Sequence, residues 1–143
     1  MNLLLNNLAL HLRIAGVLLL LLAAINLFVP KRFNWAVEMR SLSLLNRQIF
    51  LVHMGFIVLI LVLFATLLLT CTDALLVPGD VLARAVLAGL TIFWFLRLLT
   101  QWFVYDSALW RGHRFNTAMH VIFSCLWSYF TVVFAGALWM NMQ

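Results

Sequence analysis

Acidic side chains are scarce in this chain of 143 residues. Four Asp and Glu stand against nine Lys and Arg, and all charged residues together make up 9% of the sequence. An ordinary soluble domain carries about 25% charged residues, so water is not the expected solvent for most of this surface. The acids, Glu38, Asp73, Asp80 and Asp106, are scattered, and no HExxH motif or other close ligand pair accompanies them. The usual sequence signature of a zinc hydrolase is therefore missing. Cysteine is equally sparse: Cys71 and Cys125 have no CxxC or metal-finger spacing. The spans assigned below place the two at different depths, so no intramolecular disulfide is expected. Although the net charge is +5, the basic residues form no block of the kind that grips nucleic acid, and no nucleic-acid partner is expected.

Hydrophobic residues, by contrast, make up 66% of the chain. They gather into four stretches, each long enough to cross hydrocarbon, which takes ~20 helical residues. The spans read as about 8–29, 49–69, 81–105 and 117–140, a single all-α membrane domain built as a four-helix bundle, with no period-two strand pattern. Pro30 with Lys31 and Arg32 is expected to end the first span. That span is read as a retained helix and not a cleaved signal, because its strongest positive flank follows it. In the first connection, Asn34 is a candidate cap for a short helix at about 34–45 that would lie at the headgroups. Pro78, Gly79 and Asp80 punctuate the turn before the third span, with Asp80 as its cap.

Orientation follows from the basic residues. Lys31, Arg32, Arg40, Arg47, Arg111 and Arg114 fall in the first and third connections, whereas Arg13 and Arg84 lie at the opposite ends. The positive-inside rule then places loops 30–48 and 106–116 in the cytoplasm and both termini on the other side. Trp35, Trp102 and Trp110 would mark the inner interface and Trp139 the outer one. Arg13 and Arg84, near the outer helix ends, are expected to snorkel.

Function is sought where polar side chains enter the apolar layer. In the fourth span Thr117, His120, Ser124, Ser128 and Thr131 recur at intervals of three and four, and in the third Trp94, Arg97, Gln101 and Tyr105 do the same. Asn26 and His53 add one polar group each from the first two spans. Counted from the inner ends, His53, Gln101 and His120 lie ~5–6 Å deep and Arg97 ~10 Å. Such groups often do no more than hydrogen-bond neighbouring helices, each bond contributing ~0.6 kcal/mol on average. Arg97 asks for more, since an arginine at the centre of a span costs at least ~2.5 kcal/mol unless it snorkels, pairs or binds an anion.

Three functional classes fit these residues. The leading one is a binding or accessory subunit whose polar layer, Asn26, His53, Trp94, Arg97, Gln101, Tyr105, His120 and Ser124, receives a lipid-like or quinone-like ligand. A second is an electron-transfer subunit carrying b-type haem, with His53 and His120 as axial ligands and Phe56, Trp94 and Trp127 walling the ring. The third is a lipid-modifying membrane enzyme drawing an acid or base from Glu38, Asp106 or His113. Membrane lipids, other membrane subunits or further copies of the chain are the expected partners, met laterally in the bilayer.

Overall fold

The computed structural model describes residues 2–106, 108 and 112–143, and side chains from residue 5 onward. Trp110 and Arg111, used above for the interface and the charge asymmetry, lie outside the described residues. Every regular element among the described residues is helical: α1 (Asn2–Arg32), α2 (Trp35–Glu38), a 3-10 turn (Met39–Ser41), α3 (Leu44–Thr70), α4 (Thr72–Leu75), α5 (Val81–Phe103) and α6 (Arg114–Asn141). Of these, α1, α3, α5 and α6 are long and apolar enough to cross a membrane. That is the build of a small multi-pass integral membrane protein. Large apolar side chains such as Phe56 (65% exposed), Ile92 (59%) and Val132 (70%) face outward, which hydrocarbon tolerates and water penalises.

Several boundaries depart from the expected ones for local reasons. Pro30 does not end α1 but lies within it, so near the C-terminus that only the last turn follows. There its missing N–H and ring cost one bond in a turn that frays anyway. The chain turns at Asn34 instead, whose φ of 49° is left-handed. Asn34 does precede a short helix, as expected, but its side chain makes no cap, and the stretch to residue 45 breaks into α2, the 3-10 turn and the start of α3. Ser43 caps α3 by accepting from the Asn46 N–H at 3.3 Å. Asp80 caps α5 as its position suggested, accepting from the Ala83 N–H at 2.6 Å. The third helix closes at Phe103, two residues before Tyr105.

Compactness divides the chain into two units, residues 12–72 and residues 1–11 with 73–143. In the first, Leu12, Ala15, Leu19 and Leu22 form the buried stripe of α1, and Leu61, Ala65 and Leu68 that of α3. Both stripes follow the spacing of one helical face. The backbones approach closely at Gly16, where a Cβ would stand 2.9 Å from Leu69 Cγ and 3.3 Å from the Ala65 carbonyl oxygen. Near the end of α3 that faces the first connection, Trp35 packs edge-on against Phe50 with ring centroids 4.7 Å apart.

The second unit is built on α5 packed against α6. Leu87, Leu90, Trp94 and Leu98 of α5 and Trp127, Phe130, Phe134 and Ala137 of α6 supply its buried layer. Its start is pinned by Asn141, which is 1% exposed. The Asn141 amide donates to the Val77 carbonyl at 2.7 Å and its side-chain oxygen accepts from Arg84 Nε at 3.3 Å. Its backbone carbonyl also accepts from the Gly79 N–H at 2.8 Å. Arg84 is thus held by a side chain of the protein, where snorkelling alone was expected.

Substitution at Gly16 tests the close approach. Gly16→Val should destabilise the protein by about 1–3 kcal/mol through overpacking against a carbonyl that cannot move. Gly136→Ala, whose new Cβ would meet only Leu8 Cδ1 at 3.9 Å, should be neutral or slightly stabilising. Denaturant unfolding in detergent micelles, followed by circular dichroism, compares the two.

Candidate functional site

The polar stripes of α5 and α6 meet where the sequence placed them, and Gln101 is the residue that joins them. It is 4% exposed. Its amide nitrogen lies 2.9 Å from His120 Nδ1, and its oxygen lies 3.4 Å from Trp127 Nε1 and 3.5 Å from an Arg97 guanidinium nitrogen. Indole and guanidinium nitrogens can only donate, so the amide oxygen must face them and the NH2 must face the imidazole. His120 Nδ1 is then an acceptor, and the tautomer that fits carries its proton on Nε2.

Arg97 lies six residues before the end of α5, ~9 Å along the axis. Helical side chains tilt toward the N-terminus by default, yet this one runs the other way, past Gln101 to Tyr105. Its Cζ stands 4.9 Å from the Trp127 ring centroid and 5.9 Å from that of Tyr105. The guanidinium is half-buried. Its contacts among the described residues are an amide oxygen and two aromatic rings, none of them a carboxylate. Asp106, the acid nearest in sequence, spends an oxygen on the Ala108 N–H at 2.8 Å. An arginine over a buried indole gains up to about 2 kcal/mol, which offsets part of its cost in the apolar layer, and no carboxylate among the described residues pairs its charge.

An aromatic wall stands behind these groups. Trp94 stacks on Trp127 with centroids 5.0 Å apart, and Phe123 stacks on Trp127 at 5.4 Å. Trp94 is 2% exposed, and its Nε1 has no hydrogen-bond partner among the described residues. Ser124 accepts from Trp102 Nε1 at 3.2 Å, a further bond between the two helices. Thr117 and Thr131 bond back to carbonyls of their own helix, His113 and Trp127.

Six of the eight candidate residues thus belong to one unit: Trp94, Arg97, Gln101, Tyr105, His120 and Ser124. Asn26 and His53 belong to the other, where each serves its own helix. Asn26 donates to the Leu22 carbonyl at 2.8 Å, and His53 Nδ1 lies 2.8 Å from the Ile49 carbonyl with its ring exposed. His113 precedes the first turn of α6 and is exposed. No cluster of three or more metal-binding side chains occurs among the described residues.

No family model matches the chain, and comparison with curated proteins and with solved structures returns no match. The chemistry therefore has to be argued from the side chains alone. Iron would take an imidazole nitrogen that carries a lone pair, whereas on His120 Nδ1 already accepts from Gln101 and Nε2 carries the proton. Freeing it would turn the Gln101 amide around and break its bonds to Trp127 and Arg97. The arrangement instead suits recognition by hydrogen bonds, and its central ring, Trp127, had been legible only as a wall for a porphyrin. One signal would have singled it out: Trp127 follows His120 by seven residues and so shares its face.

Outside this group, one further polar contact has no periodic mark in the sequence. His11 Nδ1 lies 3.0 Å from the Tyr129 hydroxyl, with the rings edge-on at 5.9 Å. Neither residue belongs to a polar stripe.

A double-mutant cycle measures how strongly the amide couples the helices. Gln101→Leu and His120→Leu should show a coupling of about 0.6 kcal/mol, rising toward ~1.7 if the pair is fully desolvated. Nitrogen NMR of the wild type should find the His120 proton on Nε2, and a proton on Nδ1 would reverse the assignment of the amide.

Proposed function

We propose that this chain is a membrane-embedded binding or accessory subunit whose Arg97–Gln101–His120 cluster receives the polar head of an amphiphile, lipid-like or quinone-like. One observation carries the reading. Arg97, half-buried in a helix of membrane-spanning length, meets an amide oxygen and two rings and no carboxylate among the described residues, so it retains a charge that an incoming headgroup would balance.

The surroundings support it. Gln101 holds Arg97, Trp127 and His120 in register, so the donors are placed before a ligand arrives and little ordering is lost on binding. The guanidinium extends toward the end of α5, the direction from which a headgroup at the bilayer surface would come. Trp127, Trp94 and Phe123 form a stacked aromatic backing behind it, the mixture of apolar wall and few polar groups that ligand sites share. Such a protein works laterally, among lipids and other membrane subunits, and the basic residues of the loops support a cytoplasmic side for this end of the unit.

Native mass spectrometry of protein extracted in mild detergent tests the proposal. About one amphiphile per chain is expected on the wild type. Losing a charge-assisted hydrogen bond removes roughly 1.5–3 kcal/mol, so Arg97→Ala should lower occupancy at least tenfold at limiting ligand. A wild type that carries no amphiphile, or a preparation whose reduced spectrum shows sharp haem bands, would overturn the reading.

A further inference from the structure

We infer that the head received at this site carries an oxoanion, a phosphate or carboxylate, and is not the neutral ring of a quinone. The inference rests on the amphiphile reading above and narrows it.

Donors and acceptors at the site are unequally spent. Gln101 Oε1 accepts from both Trp127 and Arg97, His120 Nδ1 faces the Gln101 amide, and the Ser124 hydroxyl accepts from Trp102. A headgroup that recognises by donating, such as a sugar, therefore meets acceptors already engaged. Donors are in surplus. The Arg97 guanidinium has five N–H groups and one hydrogen bond among the described residues, a long one of 3.5 Å. Its Cζ lies 4.9 Å from the Trp127 ring centroid, and the remaining N–H groups of a planar fork can reach the two oxygens of a phosphate or carboxylate in parallel. A quinone carbonyl offers one oxygen and no charge, and would leave the guanidinium uncompensated.

A second observation points the same way. Trp94 lies one turn deeper than Arg97, ~4.5 Å along the axis, and stacks on the same Trp127. Its indole N–H is closed to solvent and lacks an acceptor among the described residues. A phenylalanine would keep an aromatic ring there without a buried donor. An acceptor for that N–H has to come from a group that itself sits in the apolar layer. The ester carbonyl of a glycerolipid does so, hanging just below the phosphate that Arg97 would hold.

The full chain in maltoside micelles, which carry neither phosphate nor ester, tests this, with phosphatidylglycerol, a ubiquinone analogue and inorganic phosphate as separate probes. Retained ligand is measured by native mass spectrometry, and unchanged thermal unfolding of each variant shows that it folds. The wild type should retain phosphatidylglycerol at least tenfold better than the quinone. Arg97→Gln should abolish that preference, Arg97→Lys should restore it only in part because the fork is lost, and Trp94→Phe should weaken retention severalfold without changing the preference. Inorganic phosphate that competes at low millimolar concentration would support the oxoanion chemistry while assigning it a soluble source. Equal retention of quinone and phosphatidylglycerol, or an Arg97→Gln variant that behaves as wild type, overturns the oxoanion and leaves the amphiphile reading standing. If neither amphiphile is retained, both readings fall.

Discussion

A carboxamide inside an apolar helix pair has to find a donor and an acceptor within the protein, because hydrocarbon offers neither, and Gln101 meets that demand by organising everything around it. Its oxygen takes the Trp127 indole and the Arg97 guanidinium, and its nitrogen takes His120. Each partner constrains the next. The indole so held becomes the surface on which Arg97 and Trp94 stack, and the imidazole so held is left with its proton on the outer nitrogen. A leucine at this position would pack as well but would leave three polar groups of the apolar layer to find other partners.

Polar side chains in these helices are satisfied in two ways, with different consequences. Asn26, His53, Thr66, Thr91 and Thr131 bond to a carbonyl one turn back on their own helix. Such bonds cost little and specify nothing beyond that helix. Gln101 with His120, Trp102 with Ser124, and Arg84 with Asn141 reach across to another element. These fix the register of α5 against α6 at both ends of the pair, and the cross-helix group at one end also bears a cation with no carboxylate beside it among the described residues. The register and the candidate site share the same residues there.

How much was legible depended on whether a property repeats along the chain. The helical spans, the Asp80 cap and the two polar stripes repeat or stand at element ends, and they stand in the structure much as read. Gly16 carried no such mark: nothing in its own neighbourhood says that Leu69 and Ala65 come within contact of it. Asn141, His11 and Tyr129 were likewise silent, since their partners are 57 or more residues away along the chain. Pro30 misled in the opposite sense. Proline breaks a helix by removing one N–H and crowding one carbonyl, and at the last turn that penalty is too small to decide where the helix stops.

By itself the sequence determined the solvent, since 66% hydrophobic residues gathered in runs of span length leave no other, and it determined which residues of α5 and α6 share a face, because helical periodicity is a local property. Only the tertiary structure decided which of those polar groups use one another and which use their own backbone. That choice turns on distances of a few tenths of an ångström between side chains of different helices. It made Gln101 the joint, Trp127 the platform and Arg97 a cation with no carboxylate beside it among the described residues, while the equally polar Asn26 and His53 were spent on the turn beneath them.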